Sequence, residues 1–444
     1  MKRTIPAVLL AFSVFLPALS SAAAEGPSLE ELEARLVSGP SQGDLVAYAY
    51  RASPMVRSAH AMWEATAEKY RVATGHPDPR IMVEGMFMTE ELRGTPDDWK
   101  VTLSQMIPLP GRLGAEGAVV RAEARAARYD LDKAVRDVVV QVRESFQELL
   151  YLAEATRIAA QNKDLLDQLR KVAESAYAGN RALLYDVAKA QAQAGQLQYD
   201  VLLLRELEQT EKARLNGLLS RAPEAPLGPL AAHDAQPLAF ELGEIYRMAE
   251  ANREEIKAAQ ARSERAEAML STARYENLPE VELGASVGRQ LERDQIGIQA
   301  GLTLPLWPGK RAGRVGQARA ELESARAMKV AEVNDARTQV RESYFRLRNS
   351  ERLVALYRGD LLPQAAKAME TAETWYREGQ GSFADYVEAQ AVWYNFQLSL
   401  ARAKADQGKF LARLEALAGQ SLTRKAESPP PDPAGGEQRG EGAR

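Results

Sequence analysis

Gln141-Val142-Arg143-Glu144-Ser145-Phe146 returns 198 residues further on as Gln339-Val340-Arg341-Glu342-Ser343-Tyr344. Pro110-Gly111-Arg112 returns at the same offset as Pro308-Gly309-Lys310. Pro79 matches Pro279 at 200, and Tyr177, Asp186 and Gln191 match Tyr376, Asp385 and Gln390 at 199. Offsets this steady mean a duplicated structural unit, and long self-similarity sets the fold before any local propensity does. The expected division is a first repeat over 25–220, a Pro/Gly-rich linker over 221–237, a second repeat over 238–419, and a tail over 420–444 too poor in apolar residues to fold.

Each repeat reads helix, two strands, long helix, turn, helix. Helical spacing from Leu45 to about Gly75, with a kink or break at Pro54, stops at His76-Pro77-Asp78-Pro79, since prolines cannot continue a helix and the residues before them avoid the helical region. The period then becomes two. Ile81 and Val83 alternate with Met82 and Glu84, and Trp99, Val101 and Leu103 alternate with Lys100, Thr102 and Ser104. In the second repeat Val281, Leu283, Ala285 and Val287 alternate with Glu282, Gly284, Ser286 and Gly288, and Ile296, Ile298, Ala300 and Leu302 follow against Gln295, Gly297, Gln299 and Gly301. The hairpins fall at 80–107 and 280–304, with strands of about ten residues, the length of a tilted membrane strand. A half-buried soluble sheet is the blander reading of the same alternation.

Four strands leave two open edges, and an edge in hydrocarbon would strand unpaired backbone groups. Closure therefore needs other chains, and three copies would supply about twelve strands, enough for a barrel with a lumen.

From Arg112 to about Tyr177 an uninterrupted helical pattern carries Val138, Val142, Phe146, Leu149 and Ala153, then Leu165, Leu169, Val172 and Ala176, in coiled-coil steps. At about 1.5 Å per residue this helix reaches roughly 100 Å. Long helical hairpins are expected over 112–218 and 310–418. The shorter helices 45–75 and 183–218 together match the long helix in length, as 241–276 and 383–418 match 310–376, so each pair is expected to stack end to end.

Residues 1–24 read as a removable export signal: Lys2 and Arg3, an apolar run from Ile5 to Leu19, then Ala22-Ala23-Ala24. The chain has no cysteine, so disulfides, thiolate metal sites and an acylated cysteine anchor are excluded. After residue 24 no apolar run reaches the length of a membrane helix. A net charge of −4 spread along the chain gives no case for nucleic acid.

Taken in order, these landmarks resemble the TolC-type outer-membrane factors, the exit ducts of bacterial tripartite efflux pumps and type I secretion systems. The resemblance covers about residues 40 to 419 and rests on the duplication, on Leu109-Pro110-Gly111-Arg112 and Trp307-Pro308-Gly309-Lys310, and on the segment Tyr376 to Gln390. It implies a homotrimer: a 12-stranded β-barrel in the outer membrane, against lipid, continued by a periplasmic α-helical barrel. It also implies a periplasmic adaptor protein and an inner-membrane resistance-nodulation (RND) or ABC transporter as partners, with no cofactor. The turns at 178–182 and 378–383 would form the tip, with Gly179, Asn180, Gly379, Gly381 and Ser382 facing the adaptor. Asp385 and Glu388 would ring the entrance and Tyr376 would help latch it, while Gly381 replaces a basic latch residue of the family. Pro110, Gly111, Arg112, Pro308, Gly309 and Lys310 would mark the barrel–helix junction.

Read without that resemblance, Asp385 and Glu388 lie three apart on one helical face, as a solvated face or a lumen-facing pair would. His60, His76 and His233 show no ligand-like spacing with another histidine or a carboxylate, so no metal site is expected. Met82, Met86, Met88 and Met106 read as barrel-wall hydrophobes. No nucleophile with an adjacent base can be assembled, so the chain reads as non-enzymatic. The branch paired with heavy-metal pumps is nearest by Ser104 to Arg112, with drug efflux close behind. A protein-secretion duct and a pore-less periplasmic coiled-coil scaffold are the rival functions.

Overall fold

The computed structural model describes residues 27–86, 98–179, 183–231, 237–290 and 293–423. The signal segment, most of the tail, Asn180, His233 and Met88 lie outside them.

The first repeat opens with α1 (Leu29–Ser38) and α2 (Gln42–Ala52), each started by a serine cap whose third residue, Glu31 or Asp44, bonds back to the cap. The chain turns extended at Ser53, and α3 (Pro54–Thr74) begins with the proline at its first position, where no intrahelical donor is needed. Of the kink or break expected at Pro54, the structure has the break. Strands β1 (Arg80–Met86) and β2 (Asp98–Ile107) follow, then α4 (Arg112–Ala178) and α5 (Leu184–Leu218).

The second repeat runs α6 (Leu242–Asn252), α7 (Glu254–Tyr275), β3 (Glu280–Gln290), β4 (Arg293–Thr303), α8 (Pro308–Leu356), α9 (Leu362–Arg377) and α10 (Phe383–Ala418). Two of its expected helices are interrupted. The run 241–276 breaks at extended Arg253, and the run 310–376 carries a π-helical turn over Tyr357–Leu361 between α8 and α9.

The four strands form one antiparallel sheet in the order β1-β2-β3-β4. Its register puts Ile81, Leu103, Ala285 and Ile298 in one cross-sheet row and Val83, Val101, Val287 and Ile296 in another. The opposite face carries Thr102, Ser286 and Gly297 in a row, with Ser104, Gly284 and Gln299 beside it. Met82 pairs with Thr102, and Met106 with Glu282, so both belong to the polar face. The wall reading of these two methionines is therefore corrected by the pleat, which sends neighbouring side chains to opposite faces.

α3 and α5 both lie along α4, while α7 and α10 lie along α8 and also against α4. Two equivalent cores anchor the repeats. Val142, Phe146 and Leu149 of α4 pack with Leu45, Ala49, Leu215 and Leu219; Val340 and Leu347 of α8 pack with Ile245, Ala249, Leu414 and Leu422. Leu422 is fully buried, so the packed chain passes the expected limit at Gly419. Beyond Leu149 the buried stripe of α4 follows Leu152, Ala155, Ala159, Asn162, Leu166, Leu169 and Ala173, not Ala153, Leu165 and Val172. A straight helix drifts from a strict heptad, so the face turned inward moves by a residue.

Candidate functional site

The sheet decides what kind of site is possible. Its apolar face is bare: Ile298 is 93% and Ile296 88% exposed, with Ile81, Val83 and Leu302 also open. Exposed apolar area this continuous, at about 25 cal/mol per Å², is too costly to leave in water and marks a surface meant for another phase or partner. Among the described residues no helix is long and apolar enough to cross a membrane. On the polar face glycines let neighbouring strands close in. A Cβ on Gly288 would stand 2.3 Å from the Trp99 carbonyl oxygen, and one on Gly284 would stand 2.9 Å from that of Leu103.

Where β2 meets α4, Gly111 takes φ +90°, and a Cβ there would lie 2.5 Å from the Tyr275 hydroxyl. Arg112 then ties the second repeat to the first, donating to Glu280 at 2.5 Å and to Glu116 at 3.0 Å. In the second repeat Pro308 is the first residue of α8, and Gly309 and exposed Lys310 are already helical. Pro110 and Gly111 are the central residues of a turn closed by the Arg112 N–H on the Leu109 carbonyl at 3.1 Å.

At the far end, Leu166, Leu169 and Ala173 of α4 pack with Val187, Phe383, Tyr386 and Val387, so the two helical hairpins share one core at their tips. Gly179 closes α4, its N–H reaching the Ser175 carbonyl at 3.1 Å. Gly379 has φ +73°, as a helix C-terminus often requires, and Gly381 sits close against Trp375. Ser382 caps α10: its hydroxyl accepts from the Asp385 N–H at 3.1 Å, and the Asp385 carboxylate accepts from the Ser382 N–H at 3.3 Å. Asp186 does the same for α5, accepting from the Leu183 N–H at 3.2 Å. Asp385 and Glu388 are both exposed, opposite the buried Phe383, Tyr386 and Gln390.

Tyr376 meets Phe383 edge-on at 5.5 Å and stacks on Tyr386 at 6.3 Å. Burial, with the nearby charge of Asp186, raises the Tyr376 hydroxyl above its ordinary pKa. Burial and then Glu373 push that of Tyr386 up to about 12. Both stay neutral donors across the physiological range. Above them Gln390 donates to Asn162 across α10 and α4, both amides buried. This pair was missed because each amide, read alone on a helix, looks like surface. His60 does have a carboxylate neighbour, Glu64 one turn on at 3.5 Å; both are half exposed, and among the described residues no third ligand joins them.

Residues 245–420 match the family model described as outer membrane efflux protein. That stretch is most of the second repeat, and over it the chain is similar to the outer membrane efflux protein family. A search of curated proteins returns no match. Among solved structures, the outer membrane protein VceC of Vibrio cholerae is 18% identical, with a TM-score of 0.73 over 86% of this chain and 96% of its own. The Campylobacter jejuni CmeC outer membrane channel gives 15% identity and a TM-score of 0.74, covering 86% of this chain and 87% of that one. The Neisseria gonorrhoeae MtrE outer membrane channel, solved in its open state, gives 17% and 0.71, covering 86% and 91%. At these identities the structural likenesses speak for the fold alone.

Proposed function

We propose that this protein is the outer-membrane exit duct of a tripartite efflux system, conducting solute passively from a periplasmic pump assembly to the exterior. One observation carries the reading: a four-stranded sheet with a bare apolar face, a polar glycine-lined face and unpaired edges at β1 and β4. Lipid on one side and water on the other is the environment such a sheet satisfies, provided its edges are closed. Three subunits would close it with about twelve strands. The helices would then extend the lumen into the periplasm, with the tip around Gly179, Gly379, Gly381 and Ser382 meeting a periplasmic adaptor and an inner-membrane transporter of the RND or ABC type.

Asp385 and Glu388 would ring the entrance, placing about six carboxylates where a cation is attracted and a narrow pore is costly to crowd. Tyr376 would help hold the tip closed through its stacking on Tyr386 and Phe383. Heavy-metal cations or drugs are the cargo, chosen by the transporter rather than by the duct. No catalytic step is assigned to any residue.

The test is cell fractionation with planar-bilayer recording. The protein should stay in the outer-membrane fraction as a trimer and conduct, and Asp385→Asn or Glu388→Gln should weaken block by divalent cations. A detergent-independent monomer without conductance would overturn the duct, and cation block unchanged in both variants would overturn the entrance assignment.

A further inference from the structure

Arg253 sits where α6 ends and α7 begins, 4% exposed, at a position filled by Ser53 in the first repeat. Its Nε donates to Glu255 at 3.1 Å and Nη2 to Gln339 at 3.0 Å, with the Asp335 carboxylate 3.6 Å from Nη2. The other terminal nitrogen, Nη1, is buried with no hydrogen-bond partner. A buried guanidinium N–H left unmet is costly, since that group can only donate.

Arg253 lines a cavity of about 460 Å³ bounded by α4, α7, α8 and α10. Five cationic side chains face it (Lys133, Arg136, Arg253, Arg346 and Arg413) against three carboxylates. The other four also have resident partners: Arg136 donates to Glu254 and Glu255, Arg346 to Glu342, Lys133 to Asp137 and Arg413 to Glu144. The open donor is thus the one on Arg253. The start of α7, a helix of 22 residues, adds its own partial positive charge at that point.

From this we infer that the cavity is a binding site for a small soluble oxyanion of the sulfate or phosphate class, held by Arg253 and the α7 N-terminus. Arg136 lies 24 residues beyond the start of α4 at Arg112, which places the cavity roughly 36 Å from the sheet, out of reach of a lipid headgroup. An anion there would staple the first repeat's long helix to the start of α7, across the cavity from α8 and α10. The inference stands on the helical section alone and does not depend on the duct reading.

Thermal unfolding of the purified full-length protein in detergent, titrated with sulfate against chloride at constant ionic strength, tests it. The wild type should show a saturable rise in unfolding midpoint. Arg253→Gln should weaken the apparent sulfate affinity about tenfold, the loss of one charged hydrogen bond. Arg346→Gln, at the half-exposed rim, should weaken it several-fold without removing a buried group, so it decides the matter if Arg253→Gln does not fold. Arg157→Gln, exposed and 21 residues further along α4 than Arg136, should leave it unchanged. No saturable response in the wild type would mean that the cavity holds water only and would overturn the proposal. So would an affinity that neither cavity variant alters.

Discussion

The two Pro-Gly elements occupy the same place in the two repeats and do different things. Gly111 is left-handed and pressed under Tyr275, whereas Gly309 is inside a helix with nothing near where a Cβ would stand. The difference is one of neighbours. Tyr275 ends α7, the second repeat's helix, so within one subunit only the first repeat's turn has such a helix end above it. If subunits form the proposed ring, the empty place above Gly309 would belong to the end of an adjacent subunit's α3. Duplication therefore preserves the order of elements while each local conformation is set by what packs on it.

The comparison can be pressed hardest in the two cores. Phe146 is fully buried and its counterpart Tyr344 only partly, so Phe146→Ala should cost about 3–5 kcal/mol and Tyr344→Ala about 1–2 in denaturant unfolding of the dissociated subunit. Equal losses would show that the cores are not as unlike as the single chain presents them. At the junction, Gly111→Ala should destabilise by about 2 kcal/mol, through its positive φ and the Tyr275 contact, while Gly309→Ala should be neutral or stabilising by up to about 1. A matching penalty at Gly309 in the assembled protein but not in the dissociated subunit would reveal the neighbour that one chain lacks.

The repeats are also joined by charge. Arg136 of α4 reaches Glu254 and Glu255 of α7 at 2.5 Å and 2.7 Å. Burial pushes Glu255 upward, but the hydrogen bond and charge of Arg136 overcome it, with Arg253 assisting, and hold the carboxyl at about 2. A depressed carboxylate contributes stability that is present above its unfolded pKa and lost as pH falls toward the folded one. Acid unfolding should therefore remove on the order of 2 kcal/mol between about pH 4.5 and pH 2, and Arg136→Met should flatten or invert that slope. A wild-type slope surviving in the variant would show that other carboxylates carry it.

The smallest effect is expected at the tips. Asp186→Ala and Asp385→Ala each remove one side of a helix-start bond and should each cost about 1 kcal/mol by thermal melting. The paired measurement separates structure from conduction, because only Asp385 is assigned to the entrance.

Much of this architecture was legible in the chain. The alternation at Val281–Val287 and Ile296–Leu302 placed both faces of the hairpin, and the helix expected from Arg112 begins there. The offset between repeats even steps from 198 at Gln339 to 199 at Tyr376, and the one added residue falls where the π turn at Tyr357–Leu361 accommodates it. Other features left no such mark. Arg253 breaks a helix without a proline or glycine, because burial and its bonds to Glu255 and Gln339 hold the extended backbone. The Asn162–Gln390 contact joins residues 228 apart, and nothing local to either amide announces it. At the candidate tip, the Ser382–Asp385 cap and the aromatic stack of Tyr376 on Tyr386 depend on how α9 and α10 close on each other across one turn.

The unpaired rims at β1 and β4 bear on biogenesis. If the protein is the proposed duct, a lone subunit whose helices had already folded in the aqueous periplasm would carry two sticky borders and a greasy panel, an invitation to misassociate. On that reading the hairpins should be the last part to become rigid, kept loose or escorted by a chaperone until sister subunits and lipid are at hand.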